Sequence, residues 1–178
     1  MLILVTGLPG SGKSKCVDYL KEYLNIHNKN YIHYSTDTIR NFVFQLSNHV
    51  DRDFTHEELN LTYQILYQLI SGIMGIEHEK VLIVDGFFRK REQREKVKEI
   101  SQMKNIQVCH FLIETNEKLI VDRVKNRFQK GMGPGIQGFL NAKYGFEEII
   151  NENVIRISND GTLKDLRRSV ITEMQKIF

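Results

Sequence analysis

Tryptophan is absent from this chain of 178 residues, and cysteine and proline occur only twice each. Two cysteines, Cys16 and Cys109, cannot form a disulfide framework, and no Cys/His spacing resembles a zinc site. No apolar run approaches the roughly 20 residues that span a bilayer. The apolar start, Met1 to Val5, is too short for a signal-peptide core and has no basic stretch before it. These absences lead us to expect a soluble, cytoplasmic chain with no membrane contact. Neither sign of charge dominates: 25 Lys and Arg face 22 Asp and Glu, for a net charge of +3. That balance suits anionic substrates and is too small to establish nucleic-acid binding. With 41% hydrophobic residues the chain is not of the disordered type. Its length fits a single domain, 1–178, that buries roughly 70% of its unfolded surface.

Apolar patterning then divides the chain. Met1–Thr6 reads as a short buried strand, Gly7–Gly12 as a glycine-rich turn, and Lys13 to about His27 as a helix with Val17, Leu20 and Leu24 on one face. Tyr31–Tyr34 reads as a second strand, and Thr36 or Thr38 opens a helix to about Leu46. Asn48–Phe54 reads as a loop and Glu57–Ile73 as a long helix, so that about 38–75 forms a helical segment on one side. Lys80–Val84, Ile106–Ile113 and Val154–Ser158 read as strands. Arg89–Met103, Glu117–Gln129 and Leu163–Phe178 read as helices. The glycine-dense stretch Lys130–Gly138 reads as mobile. Alternating strands and helices predict an α/β fold with a parallel five-stranded sheet and helices on both faces. In such sheets the ligand lies beyond the carboxyl ends of the strands. The loops at Gly7–Gly12, Ser35–Asp37, Asp85–Arg89 and Glu114–Asn116 fall at that edge.

The first of these loops carries the most specific signal. Gly7-Leu8-Pro9-Gly10-Ser11-Gly12-Lys13-Ser14 matches G-x-x-x-x-G-K-[ST], with Lys15 following, between a strand and a helix as the motif requires. Glycines let successive N–H groups point at phosphate oxygens, and the helix N-terminus adds positive potential. Lys13 is expected to bridge the β and γ phosphates and the Ser14 hydroxyl to bind Mg²⁺. Nucleoside triphosphate binding follows. No Asp has Gly three residues later, and Asn28-Lys29-Asn30-Tyr31 lacks the aspartate of a guanine-recognition motif. A guanine switch is therefore not expected, and a small phosphotransferase fits best.

Other segments match a known group. Ser35-Thr36-Asp37-Thr38-Ile39-Arg40, Val84-Asp85-Gly86-Phe87-Phe88-Arg89-Lys90-Arg91-Glu92-Gln93-Arg94 and Arg123-Val124-Lys125-Asn126-Arg127 resemble small P-loop kinases of the polynucleotide kinase and zeta-toxin type. That group also goes under the name AAA domain kinases, and the resemblance covers nearly the whole chain. Gly86 stands where Ala is commoner. A second resemblance is to adenylate kinases, through Asp85-Gly86-Phe87-Phe88-Arg89 with Gln93 and through Leu119–Val124. There Phe88 replaces a proline, and the glycine before Asp37 is missing.

The resemblance implies ATP and Mg²⁺ and transfer of the γ-phosphoryl group to a hydroxyl acceptor, either a 5′-hydroxyl polynucleotide or a small molecule. The adenylate kinase alternative implies a nucleoside monophosphate acceptor, and a third reading is a nucleotide-binding regulator without transfer. By resemblance Asp37 accepts the proton of the attacking hydroxyl; its alternative is a helix N-terminal carboxylate favoured by the dipole. Arg40, three residues on, would grip an acceptor phosphate or Asp37. Asp85 would hold Mg²⁺ with Ser14, or simply form an Asp-Gly turn, and either Asp37 or Asp85 is the general base. Arg89 or Arg94 would bind an anionic acceptor, unless this basic run is solvated surface. Arg123 and Arg127, at i and i+4, would act on the phosphates from a lid over about 123–140. Their alternative is a surface pair. His110, Cys16 and Cys109 read as core, and Tyr63 and Tyr67 as packing near the acceptor pocket.

Overall fold

The computed structural model describes residues 1–44, 54–77, 79–131, 135–150 and 152–178. Five strands, β1 (Leu2–Thr6), β2 (Tyr31–Ser35), β3 (Val81–Asp85), β4 (Val108–Glu114) and β5 (Ile155–Ser158), form one sheet in the order β2-β3-β1-β4-β5. Every pairing is parallel. The helices are α1 (Lys13–Ile26), α2 (Thr36–Val43), α3 (His56–Ile76), α4 (Arg91–Met103), α5 (Glu117–Gln129), α6 (Ile136–Tyr144) and α7 (Leu163–Ile177).

Strand alternation divides the central strands between two cores. Ile3, Val5, Ile83, Phe111, Ile113 and Ile157 face α1 and α7, where Val17, Leu20, Leu24, Leu166, Val170 and Met174 close the layer. Leu2, Leu4, Leu82 and Val84 face α3 and α4, where Leu66, Ile70, Met74, Val97 and Ile100 do the same. Each fully buried aliphatic side chain is worth roughly 1.5–3 kcal/mol. These residues fix the sheet and so fix its carboxyl edge. The parallel, doubly covered sheet is the one expected from the sequence.

Boundaries shift at several elements. α3 runs on to Ile76 behind a capping box between Thr55 and Glu58. α4 starts at Arg91 rather than Arg89, because Lys90 is extended and serves as the N-cap. β4 begins at Val108. The expected end of α2 at Leu46 and most of the loop 48–53 lie outside the described residues. The glycine-dense stretch needs the largest correction. Residues 132–134 are not described, but α6 starts at Ile136 and takes in Gly138. Ile136 and Leu140 pack on Phe139 and the α5 residues Ile120 and Val124. That apolar face, not the glycine content, decides the local structure there. Among the described residues no helix is long and apolar enough to cross a membrane.

Candidate active site

The turn after β1 is shaped by its glycines. Gly7, Gly10 and Gly12 have φ of +147°, +84° and +105°, which side chains rarely adopt. A Cβ at Gly7 would lie 2.5 Å from the Ile113 carbonyl oxygen, and one at Gly12 would lie 2.2 Å from Asn159 Nδ2. α1 opens directly after Gly12 with no side-chain cap, so its first N–H groups are free of competing side-chain acceptors. Lys13 folds back over the turn and donates from Nζ to the Gly7 and Leu8 carbonyls, both at 3.0 Å. Burial pulls its pKa down to about 8, the Asp85 carboxylate opposes this, and Arg127 and Arg40 add to it.

Neighbouring elements hold the turn from outside. The Ser11 carbonyl accepts from Asn159 Nδ2 at 2.7 Å and from Thr115 Oγ1 at 2.8 Å. Arg123 donates to the Asn159 carbonyl at 3.1 Å and to the Gly10 carbonyl at 3.4 Å. Leu8 packs on the Ile120, Val124 and Phe139 cluster. The first half of α5 and the apolar face of α6 formed by Ile136, Phe139 and Leu140 therefore pack in one cluster with Leu8 of the turn. The lid expected over about 123–140 is anchored at its start, and Arg123 is a strut on the flank of the turn. Arg127, one turn later, is exposed. Lys15, next in the phosphate-binding run, is exposed and paired with Asp18 at 2.8 Å.

Asp85 ends β3 and is nearly buried. Its Oδ1 accepts from His33 Nε2 at 2.6 Å. Ser14, the other candidate metal ligand, is exposed in the first turn of α1. The fit to Mg²⁺ rests on this donor set: a hydroxyl and a carboxylate at the mouth of the phosphate turn. Among the described residues no group of three or more His, Cys, Asp or Glu gathers to make a protein-only cage. Mg²⁺ characteristically takes one or two protein oxygens and fills its shell with phosphate oxygen and water, so the residues fit. The Ser11 hydroxyl is buried without a partner, a polar atom left over inside the phosphate turn.

On the other side, Ser35 caps α2 by accepting from the Thr38 N–H at 2.9 Å. Asp37 follows in the first turn and is exposed. It forms an ion pair with Arg40, whose side chain is only 16% exposed and whose guanidinium lies 5.0 Å from the centre of the Phe54 ring. The turn after β3 is strained. Phe88 is fully buried with φ of +43°, and its N–H donates to the Tyr63 hydroxyl at 3.0 Å. A proline, held near −65°, cannot take this place. A Cβ at Gly86 would lie 2.7 Å from Thr36 Cγ2 and 3.0 Å from the Phe88 ring, which explains glycine where alanine is commoner. Burial raises the pKa of the Tyr63 hydroxyl, while the Phe88 N–H and the positive charges of Arg40 and Arg89 oppose the rise.

Arg94 does not reach this rim. It is 0% exposed and its partner Glu152 is 4% exposed, with Nη2 to Oε1 at 2.9 Å. It also donates to the Phe88 carbonyl at 2.9 Å and the Glu147 carbonyl at 3.2 Å. Its carbonyl bonds and buried ion pair make it a structural anchor rather than a ligand for the acceptor. Around it, Phe146 stacks on Phe87 with centroids 5.7 Å apart, and Glu147 pairs with Lys90 at 2.8 Å and accepts from the Arg91 N–H at 2.6 Å. Residues 145–150, together with Glu152, thus form a strap across the start of α4. Sequence reasoning missed His33, Asn159, Glu147 and Glu152. Only Asn159 left a local signal, because Asn159-Asp160-Gly161 is a turn sequence directly after a strand.

No curated protein matches the sequence. The fold is similar to that of the APS kinase of Mycobacterium tuberculosis, solved with AMPPNP and APS: TM-score 0.72, 15% identity, 98% of this chain and 96% of that one. It is similar to Kti12 of Chaetomium thermophilum, solved with ADP-AlF3: TM-score 0.74, 16% identity, 99% and 98% coverage. It is also similar to a gluconokinase of Sinorhizobium meliloti: TM-score 0.66, 14% identity, 98% and 91% coverage. At these identities the likeness shows a shared fold. The family described as "AAA domain" matches residues 2–134, three quarters of the chain, and the protein belongs to that family.

Proposed function

We propose that the protein is an ATP-dependent phosphotransferase that moves the γ-phosphoryl group to an acceptor hydroxyl, on a polynucleotide 5′ end or a small molecule. The observation that carries this reading is the Gly7–Gly12 turn with Lys13 folded over it, the Asp85 carboxylate at the end of the adjacent strand β3, and the Asp37–Arg40 pair at the start of α2. A nucleotide-binding module needs only the turn. Transfer also needs charge around the leaving and attacking oxygens and a carboxylate on the acceptor side.

In this reading the backbone N–H groups of Gly7–Ser14 cradle the phosphates. Lys13 exchanges its two carbonyl bonds for phosphate oxygens. Ser14 and Asp85 hold Mg²⁺, which when bound neutralises charge on the β and γ phosphates. Arg127 adds positive charge from α5, and Arg123 braces the turn. Asp37 orients the acceptor hydroxyl and takes its proton as oxygen attacks the γ-phosphorus. The bond from that phosphorus to the bridging oxygen breaks, and ADP leaves. Arg40 and Arg89 flank the acceptor side, where either can pair with an anionic group. ATP is preferred over GTP on the resemblance and on the missing guanine motifs.

The test is transfer of labelled γ-phosphate to a pooled panel of nucleosides, nucleotides, oligonucleotides and sugars, with Lys13→Met as the control. We expect labelled product from at least one hydroxyl acceptor and an at least hundredfold loss in Lys13→Met, about 2.7 kcal/mol. Product from monophosphates alone would favour a nucleoside monophosphate kinase. ATP binding with no product across the panel would contradict phosphotransfer.

A further inference from the structure

We propose that His33 is a positioning residue that fixes the Asp85 carboxylate for the metal–nucleotide complex. The inference rests on the reading of Asp85 as a magnesium-side carboxylate. His33 lies in β2, the edge strand beside β3, and the register pairs His33 with Ile83 and Ser35 with Asp85. Residues directly opposite and two apart share a face of a sheet. His33 and Asp85 therefore lie on the face of Ile83, which packs against α1. α1 is the helix that begins with Lys13 and Ser14.

The contact is short and specific. His33 Nε2 donates to Asp85 Oδ1 at 2.6 Å, which fixes the tautomer as far as Nε2 is concerned. Both side chains are largely shielded, His33 at 24% and Asp85 at 12% exposed. Among the described residues, Oδ2 of Asp85 has no hydrogen-bond partner. One carboxylate oxygen is thus tied down while the other remains for a ligand. An imidazole has two side-chain torsions and a planar N–H. Its bond holds the carboxylate in one orientation. A ring held at hydrogen-bond distance from a ligand carboxylate is how outer partners orient a metal's own ligands. The described residues gather no group of three or more His, Cys, Asp or Glu, which sets aside a metal site of His33's own. No other hydrogen bond engages the His33 ring among the described residues, so packing of the strand does not account for its chemistry.

Calorimetric titration with ADP, in Mg²⁺ and in EDTA, separates the possibilities without relying on turnover. The quantity read is the gain in ADP affinity brought by Mg²⁺. In Asp85→Asn we expect most of that gain to disappear. In His33→Leu we expect it to fall about tenfold, with affinity in EDTA within about twofold of wild type. His33→Gln, whose amide N–H can still donate to the carboxylate, should recover at least half of the gain. His33→Asn, polar but too short for the bond, replaces His33→Leu if the latter does not fold. Full retention of the gain in Asp85→Asn would overturn the reading of Asp85 and this inference with it. Loss in Asp85→Asn but retention in His33→Leu would overturn the inference alone. Equal weakening in Mg²⁺ and EDTA in His33→Leu would make His33 a structural residue and would also overturn it.

Discussion

The two sides of the candidate site are held by different forces. On the phosphate side the turn is fixed by glycine backbone geometry, by bonds to backbone carbonyls from Asn159, Thr115, Lys13 and Arg123, and by the apolar seat of Leu8, with no ion pair between its residues among those described. On the acceptor side the turn after β3 and the strap of residues 145–150 and Glu152 are fixed by charge: Arg94 with Glu152, Lys98 with Glu152 at 2.9 Å, and Lys90 with Glu147. Neutral bonds are individually worth about 1 kcal/mol and tolerate loss one at a time. A buried charge deprived of its partner costs several times more. The phosphate side should therefore yield gradually and the acceptor side abruptly.

The sharpest way to break this contrast is Glu152→Leu, which leaves Arg94 buried and unpaired. We expect about 3–5 kcal/mol of destabilisation, a fall of roughly 6–20 °C in Tm at about 2–4 °C per kcal/mol for a chain of this size. Thermal unfolding checks this, and a change of only a degree or two would mean that Arg94 finds water or another acceptor.

Acidification probes the same region. His110 is buried on β4, with its Nε2 2.8 Å from Thr6 Oγ1 and its Nδ1 without a partner. Burial lowers its pKa to about 4; Glu152 opposes this while Lys98 and Arg94 reinforce it. A histidine with a lowered folded pKa binds fewer protons than the unfolded chain between about pH 6.5 and 4. Its contribution is full above about pH 6.5 and falls as the pH drops towards 4. From pH 7 to pH 5 we expect a loss of about 2 kcal/mol from this group, measured by chemical denaturation. Glu152 works in the same direction at lower pH. Burial alone would raise its pKa, but the bonds to Arg94 and Lys98 outweigh it and hold it below the usual range. Its contribution is present above the unfolded value and is lost as the pH falls through the folded one. In His110→Gln the slope between pH 7 and 5 should flatten.

On the phosphate side, Asn159→Ala removes one of two bonds to the Ser11 carbonyl and leaves Thr115 in place. The expected cost is about 1 kcal/mol, or roughly fivefold in nucleotide affinity, with little change in Tm. A loss comparable to that of Glu152→Leu would erase the contrast. The smallest effect belongs to Lys15→Ala. Its pair with Asp18 is exposed, and no measurable change in Tm is expected.

The same contrast explains what could be read from the sequence. The phosphate turn is contiguous, and its chemistry is backbone chemistry set by glycines, so Gly7–Ser14 announces itself. The strands Leu2–Thr6 and Val81–Asp85 do too, because a doubly covered parallel strand is a plain apolar run. The acceptor side is assembled from charges far apart in the chain. Arg94 and Glu152 are 58 residues apart, and a basic run such as Arg89-Lys90-Arg91 looks the same whether it faces solvent or a strap. His33 and Asp85, 52 apart, meet only through the β2–β3 register. α6 was hidden by Gly133, Gly135 and Gly138, although Ile136, Phe139 and Leu140 carry helical spacing.

Whether the turn after β1 holds a triphosphate is decided by calorimetric titration with MgATP. The account predicts saturable heat with one site per chain. It also predicts loss of that heat in Gly12→Val, where a side chain at φ +105° would collide with Asn159. No heat with the wild-type protein, or unchanged binding in a folded Gly12→Val variant, would contradict it.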